Sequence, residues 1–359
     1  MKMFGDIYRG RRVLVTGHTG FKGSWLALWL KELGAIVTGI SLAPKTNPNH
    51  WELLGLAVND YRVDIRNEDI LTRLIKEIRP EIIFHLAAQP LVRHSYHEPV
   101  LTWSTNVMGT VNLLEASRHT NSVRAIVVIT TDKCYENNEW VWGYREIDPL
   151  GGHDPYSASK ASTELVVASY RKSFFNSGTS TLIATARAGN VIGGGDWSED
   201  RLIPDLVRAV TKGEILKVRS PQSRRPWQHV LESLSGYLQL GQKLLIGDKI
   251  FANAWNFGPE QDGNCTVAEV LGKLTEYWPA LCWRVEENLQ MHEAKYLYLD
   301  SSKARTYLQW QSVWNLDTAL EKTAEWYRVY MERRQIISLT QLTEYITDAE
   351  AKKVGWVRD

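Results

Sequence analysis

The segment Arg12–Thr16, followed by Gly17, Gly20 and Gly23, constrains this chain more than any other part of it. A short β-rich run ends in G-x-x-G-x-x-G, and a helical pattern then runs over residues 20–33. That order reads as strand, tight turn and helix. The glycines let the backbone come close to a pyrophosphate, and the helix N-terminus supplies N–H groups and a partial positive charge. Gly17, His18, Thr19, Gly20, Phe21, Lys22 and Gly23 are therefore the expected dinucleotide loop.

The pattern around that loop repeats. Strands are expected at Ile36–Ser41 and at residues 81–86, 125–130 and 181–186. Helices are expected at 70–78, 100–118 and 156–175. Strands alternating with helices imply a parallel sheet covered on both faces. The expected fold is α/β, a Rossmann-type doubly wound sheet over residues 1–190. After about Asn190 the alternation fades. Residues 191–359 then read as a smaller, partly interleaved substrate-binding domain, with an arginine-rich loop at 219–227.

Composition narrows the function classes. The formal net charge of 359 residues is +1, so no global field argues for nucleic acid or an anionic membrane. Cys134, Cys265 and Cys282 lack C-x-x-C spacing and suggest neither a disulfide framework nor a metal site. No signal-peptide pattern precedes the first strand, and Lys31-Glu32 interrupts the apolar stretch 25–42. A cytoplasmic, membrane-free protein is expected.

Tyr156 and Lys160 stand four apart on one helical face. An ammonium beside a phenol stabilises the phenolate, which makes tyrosine a usable base. The second strand ends in Ser41, where an acidic residue commonly holds the adenosine ribose. Without that carboxylate the ribose loses a strong acceptor, so cofactor binding should be weak or easily exchanged, and NADP is not repelled. Asp64-Ile65 is the candidate for the adenine edge. The small run Leu86-Ala87-Ala88 lets backbone approach the nicotinamide half.

These segments together resemble the extended short-chain dehydrogenase/reductase family of nucleotide-sugar enzymes. The resemblance covers essentially the whole chain. It rests on TGHTGFKG, the DI at Asp64, HLAAQ from His85, STN at Ser104, TTDK at Thr130, YSASK at Tyr156 and RAGNVIGGGDW from Arg187. Thr131-Asp132 looks like the 4,6-dehydratases of the family, since epimerases usually carry no acid there. Lys133 looks like the branch that acts on CDP-glucose, since dTDP-glucose enzymes carry glutamate at that place. The resemblance implies NAD as cofactor, with Thr105 and Thr130 joining the residues above. It implies CDP-glucose as substrate, and an early step toward the deoxyhexoses of bacterial surface polysaccharide.

The same resemblance implies three stages on one sugar. Tyr156, supported by Lys160 and Thr131, takes the C4 hydroxyl proton as hydride leaves C4. Water is then lost across C5 and C6, with Asp132 as acid, which requires a raised pKa. Lys133 is either the neutral C5 base or a cation that stabilises the enolate. Hydride finally returns to C6 and a proton to C5. Ser95, Asn190, Arg219, Arg225 and Trp227 are the expected substrate contacts, with Arg225 favoured to fork onto phosphate. The helices 100–118 and 156–175 match a four-helix dimer interface, and a tetramer stays open. Other readings remain: a dTDP- or GDP-sugar 4,6-dehydratase, a nucleotide-sugar 4-epimerase, and an NAD-binding regulatory protein without catalysis.

Overall fold

The computed structural model describes residues 3–175, 180–286 and 296–357. Strands β1 (Arg12–Thr16), β2 (Ile36–Ser41), β3 (Asn59–Arg62), β4 (Ile82–His85), β5 (Ala125–Ile129) and β6 (Leu182–Ala188) join Ala254–Phe257 in one sheet. The order is Ala254–Phe257, β6, β5, β4, β1, β2, β3, and every pairing is parallel. The chain runs outward from β1 through β2 and β3, then returns to β4 on the other side. Between β1 and β4 the crossovers diverge and leave a crevice at the carboxyl ends of the strands.

The strands are apolar on both faces because both faces are covered. Val13, Val15, Phe84, Val127 and Ala184 belong to one core cluster, and Leu14, Ile83, Ile126, Val128 and Ile183 to another. Alternate residues of a strand point to opposite faces, so each strand feeds both clusters. Helix α1 (Phe21–Glu32) and the helix Val230–Leu245 cover the first face. Much of the tryptophan content packs there, and Trp25, Trp29, Trp255, Trp310, Trp326 and Trp356 are fully buried.

Two expectations change in detail. The helix expected over 100–118 is assembled from Pro99–Trp103, a π-helical turn Ser104–Met108, and Gly109–Arg118. The turn lets Asn106 exchange hydrogen bonds with the Gln89 backbone and brings Gly109 against Ile65. A Cβ at Gly109 would lie 2.5 Å from the Ile65 side chain. The arginine-rich segment is not all loop, since Arg224–Pro226 is a strand paired antiparallel with Asn264–Thr266. Among the described residues no helix is long and apolar enough to cross a membrane, and no cluster could hold a metal ion.

Candidate active site

The crevice opens into a cleft of about 1960 Å³. Pockets for one small ligand typically span ~300–1,000 Å³, so this cleft has room for two bound side by side. Gly17, Thr19, Gly20, Phe21, Lys22, Gly23, Ser41, Asp64, Ile65, Leu86, Ala87, Ala88, Thr105 and Thr130 line one part. Thr131, Asp132, Lys133, Tyr156 and Lys160 line the same cleft, as do Asn190, Arg219, Arg225 and Trp227.

The glycine loop is shaped to let backbone meet a ligand. Gly17 has φ +74°, and a Cβ there would lie 2.6 Å from the Ala87 nitrogen. A Cβ at Gly23 would lie 2.1 Å from the Gly17 carbonyl oxygen. Only glycine fits either position, and the result is a bare N-terminus of α1 facing the cleft. Ser41 takes the place expected for an acid, and its hydroxyl pairs with Thr19 Oγ1 at 2.7 Å. Asp64 is forked by Arg66, so the cleft is offered the turn more than a free carboxylate.

The helix Pro155–Ser173 positions the tyrosine and lysine. Asp154 caps it by accepting from Ser157 N at 2.9 Å, and Pro155 pre-sets its first turn. Lys160 Nζ donates to the Ile129 carbonyl at 3.0 Å, tying the helix to the end of β5. Burial lowers the Lys160 pKa to about 8. Tyr156 departs from expectation. Burial raises its pKa to about 12, and the group that brings it down most is the Thr131 hydroxyl rather than Lys160.

Asp132 meets the requirement for an acid. Burial raises its pKa against the lowering by Lys133, Thr131, Arg225 and Lys22. Oδ1 accepts from Thr131 Oγ1 at 2.9 Å, while Oδ2 is buried with no hydrogen-bond partner. An unpaired buried oxygen favours the protonated form. Gly189 makes room for it, since a Cβ there would sit 3.0 Å from Oδ2.

Two cations near these groups were not assigned this place by sequence reasoning. Lys22 Nζ turns inward from the glycine loop and donates to Tyr237 Oη at 3.2 Å. Burial, with Arg201 next, lowers its pKa to about 7. Arg201 lines the cleft, pairs with Asp196 at 2.9 Å and lowers the Tyr156 pKa electrostatically. Asp196 lies within the quoted GGGDW run, but Arg201 follows it with no local pattern to announce it.

Two expected contacts lie elsewhere. The Ser95 side chain is fully buried, donating to the Val92 carbonyl at 2.6 Å and accepting from Tyr156 N at 3.2 Å. It steadies the start of the tyrosine helix and does not line the cleft. The His18 ring turns away from the cleft into the layer beside β2, packs on Trp51 at 4.5 Å and meets Asp60 at 3.0 Å. Its contribution to the loop is its backbone. Strand alternation separates the two neighbouring arginines. Arg225 lines the cleft, and Arg224 donates to the Asn264 carbonyl at 2.9 Å.

Residues 14–323 match the family model described as GDP-mannose 4,6 dehydratase. The CDP-glucose 4,6-dehydratase of Salmonella typhimurium is 46% identical over 351 residues, covering 95% of this chain and 98% of its own. A dTDP-glucose 4,6-dehydratase structure from Streptomyces venezuelae, with NAD and TYD bound, superposes with a TM-score of 0.75. It is 24% identical and covers 90% of this chain and 97% of its own. A UDP-glucose 4-epimerase structure from Thermotoga maritima gives 0.75 at 24% identity, covering 89% and 99%. These two structures share the fold.

Proposed function

The chain belongs to the GDP-mannose 4,6 dehydratase family, and on that premise we propose that it is a CDP-glucose 4,6-dehydratase, an NAD-dependent hydro-lyase. The observation that carries the reading is Asp132, a buried carboxyl with one unpaired oxygen beside the Tyr156–Lys160 pair. Simple 4-epimerisation has no use for an acid there. Retention of both Tyr156 and Lys160 in the cleft disfavours a non-catalytic binding protein.

Gly17, Thr19, Gly20 and Phe21 would hold the cofactor's phosphates, with Ser41, Asp64 and Ile65 at the adenosine end. Leu86, Ala87, Ala88, Thr105 and Thr130 would flank the nicotinamide half. NAD, when bound, supplies the hydride acceptor at C4 and the donor at C6. Tyr156 takes the C4 hydroxyl proton, Thr131 bonds the same oxygen, and Lys160 offsets the charge that develops on the phenol. The resulting ketone acidifies C5. Lys133 takes that proton and returns one to C5 at the end, and Asp132 gives its proton to the departing C6 hydroxyl, which leaves as water. Asn190, Arg219 and Arg225 would hold the diphosphate, and Trp227 would wall the base. Residues 1–190 thus serve mainly the dinucleotide and 191–359 mainly the nucleotide sugar. The Val230–Leu245 helix and the Ala254–Phe257 strand, which cover and extend the parallel sheet, are interleaved pieces.

The test is incubation with CDP-glucose, dTDP-glucose and GDP-mannose, read by the alkaline absorbance of the 4-keto product. Turnover of CDP-glucose is expected. Turnover of dTDP-glucose alone would overturn the cytidine assignment, and turnover of none would revive the non-catalytic reading.

A further inference from the structure

Beneath the cleft lies a buried ion pair that takes no part in the proton transfers. Glu164 and Arg187 have side chains only 3% exposed, and Arg187 Nη2 meets Glu164 Oε2 at 2.7 Å. Glu164 also accepts from Thr130 Oγ1 at 2.5 Å and from Thr185 Oγ1 at 2.8 Å. Arg187 Nη1 donates to Tyr135 Oη at 2.7 Å, and Tyr135 donates onward to Asn256 Oδ1 at 2.8 Å. The network therefore joins the Pro155–Ser173 helix, the end of β5, the turn after it, β6 and the Ala254–Phe257 strand.

A buried ion pair is weak evidence for stability, because well-packed apolar replacements are often no less stable. Its placement suggests another purpose. Glu164 follows Lys160 by one helical turn and Tyr156 by two. Thr130 immediately precedes Thr131, Asp132 and Lys133. One carboxylate oxygen thus pins the segment that carries the acid and base to the helix that carries the tyrosine and lysine. The Lys160 bond to the Ile129 carbonyl is a second tie at the same strand end.

We propose that Glu164, held by Arg187, is a positioning residue that fixes the Thr131–Asp132–Lys133 turn against the Tyr156–Lys160 helix and sets the electrostatic surroundings of Lys160. The proposal rests on the dehydratase reading of the cleft. Burial opposes ionisation of Glu164, but Arg187 and the two threonine hydroxyls hold its pKa below the ordinary carboxylate value. The groups around Lys160 are Tyr156 and Glu164 on its own helix, Asp132 and Cys134 after β5, Lys22 on α1, His85 on β4 and Arg187 behind Glu164. Burial raises the Asp132 and Cys134 pKa values and lowers that of His85, which disfavours their charged forms. Glu164 keeps its charge, and of the groups that raise the Lys160 pKa it raises it most.

The test is the double variant E164Q/R187Q, which removes both charges and keeps hydrogen-bonding shape, alongside T130V, which removes one tie and leaves the charges. Both are compared with the wild type for melting temperature, kcat, KM and pH profile. For a folded E164Q/R187Q, kcat should fall by about tenfold or more with KM changed by less than about threefold, as for a misplaced catalytic turn. The alkaline limb of kcat/KM should also move to lower pH, because Lys160 loses its proton sooner without the carboxylate. T130V should lower kcat with the limb unmoved. Wild-type kcat and an unmoved limb in a folded double variant would overturn the proposal. If the double variant does not fold, T130V with wild-type kcat would overturn it. An inactive wild type would refute the dehydratase reading instead.

Discussion

At Asp132 a single carboxyl is asked to stay protonated beside a lysine. Burial and the unpaired Oδ2 win over the cations around it, so its pKa stands above the ordinary carboxylate value, the direction that the proposed acid role needs. D132N keeps the size and loses the proton. It should lower dehydration by about 10²–10⁴-fold while single-turnover absorbance still reports C4 oxidation. Loss of the oxidation step in D132N would place the carboxyl in the first stage. In the wild type the Asp132 proton is lost as pH rises through its raised pKa, so that part of the alkaline decline should vanish from what activity D132N retains, leaving the limb that Lys160 sets. K133M should likewise oxidise C4 but stop exchange of the C5 proton with solvent; full exchange would remove Lys133 from the base role. In the cofactor part of the cleft Ser41 would offer the ribose one hydroxyl, already shared with Thr19. S41D should tighten NAD by about 1.5–3 kcal/mol, the range of hydrogen bonds to charged groups, and calorimetry reads it directly. Unchanged affinity would mean that the ribose is held elsewhere.

At the scale of elements, what was legible in the sequence was periodicity and turn chemistry. β1, the glycine turn and α1 could be read because glycine spacing, strand composition and helix pattern agree. The tyrosine helix was legible for the same reason, while its cap at Asp154 came only from the structure. What escaped depends on contacts distant in sequence. The π turn at Ser104–Met108 answers to Gln89 and Ile65, and Arg224–Pro226 becomes a strand only because Asn264–Thr266 lies beside it. His18 reads as a loop residue open to a ligand, yet its ring turns inward onto Trp51, while Lys22 lines the cleft and also reaches Tyr237. His18 also shows how β2 is shaped for the loop. A Cβ at Gly39 would lie 2.3 Å from His18 Nδ1, inside any contact distance. G39A should therefore push the ring and the loop outward at a cost of about 1–3 kcal/mol, as for an overfilled core. A lower melting temperature together with weaker NAD binding is expected. A drop in melting temperature with NAD binding intact would separate the ring from the loop.

For the whole molecule the question is what covers the outer face of the two helical segments behind the cleft. Val100 is 79% exposed, Leu165 60% and Met108 52%, with Trp103 beside them at 40%. The segments Pro99–Trp103 and Ser104–Met108 pack against Pro155–Ser173, which carries Leu165. Single exposed leucines are ordinary, but several large exposed apolar side chains on helices packed together point to an interaction surface. We propose a homodimer in which the two segments meet their copies as four helices. A standard interface buries about 800 Å² per partner, within reach of two such segments. V100D/L165D alters side chains that are exposed within one chain, so the fold itself should change by no more than about 0.5 kcal/mol. Sedimentation should then move from dimer to monomer, or from tetramer to a smaller species if a second interface exists. Because the same segments carry Thr105 and Tyr156 on their inner sides, the dissociated variant should also lose turnover at low protein concentration. A wild type that sediments as a monomer, or a double variant that stays a dimer, would rule this interface out.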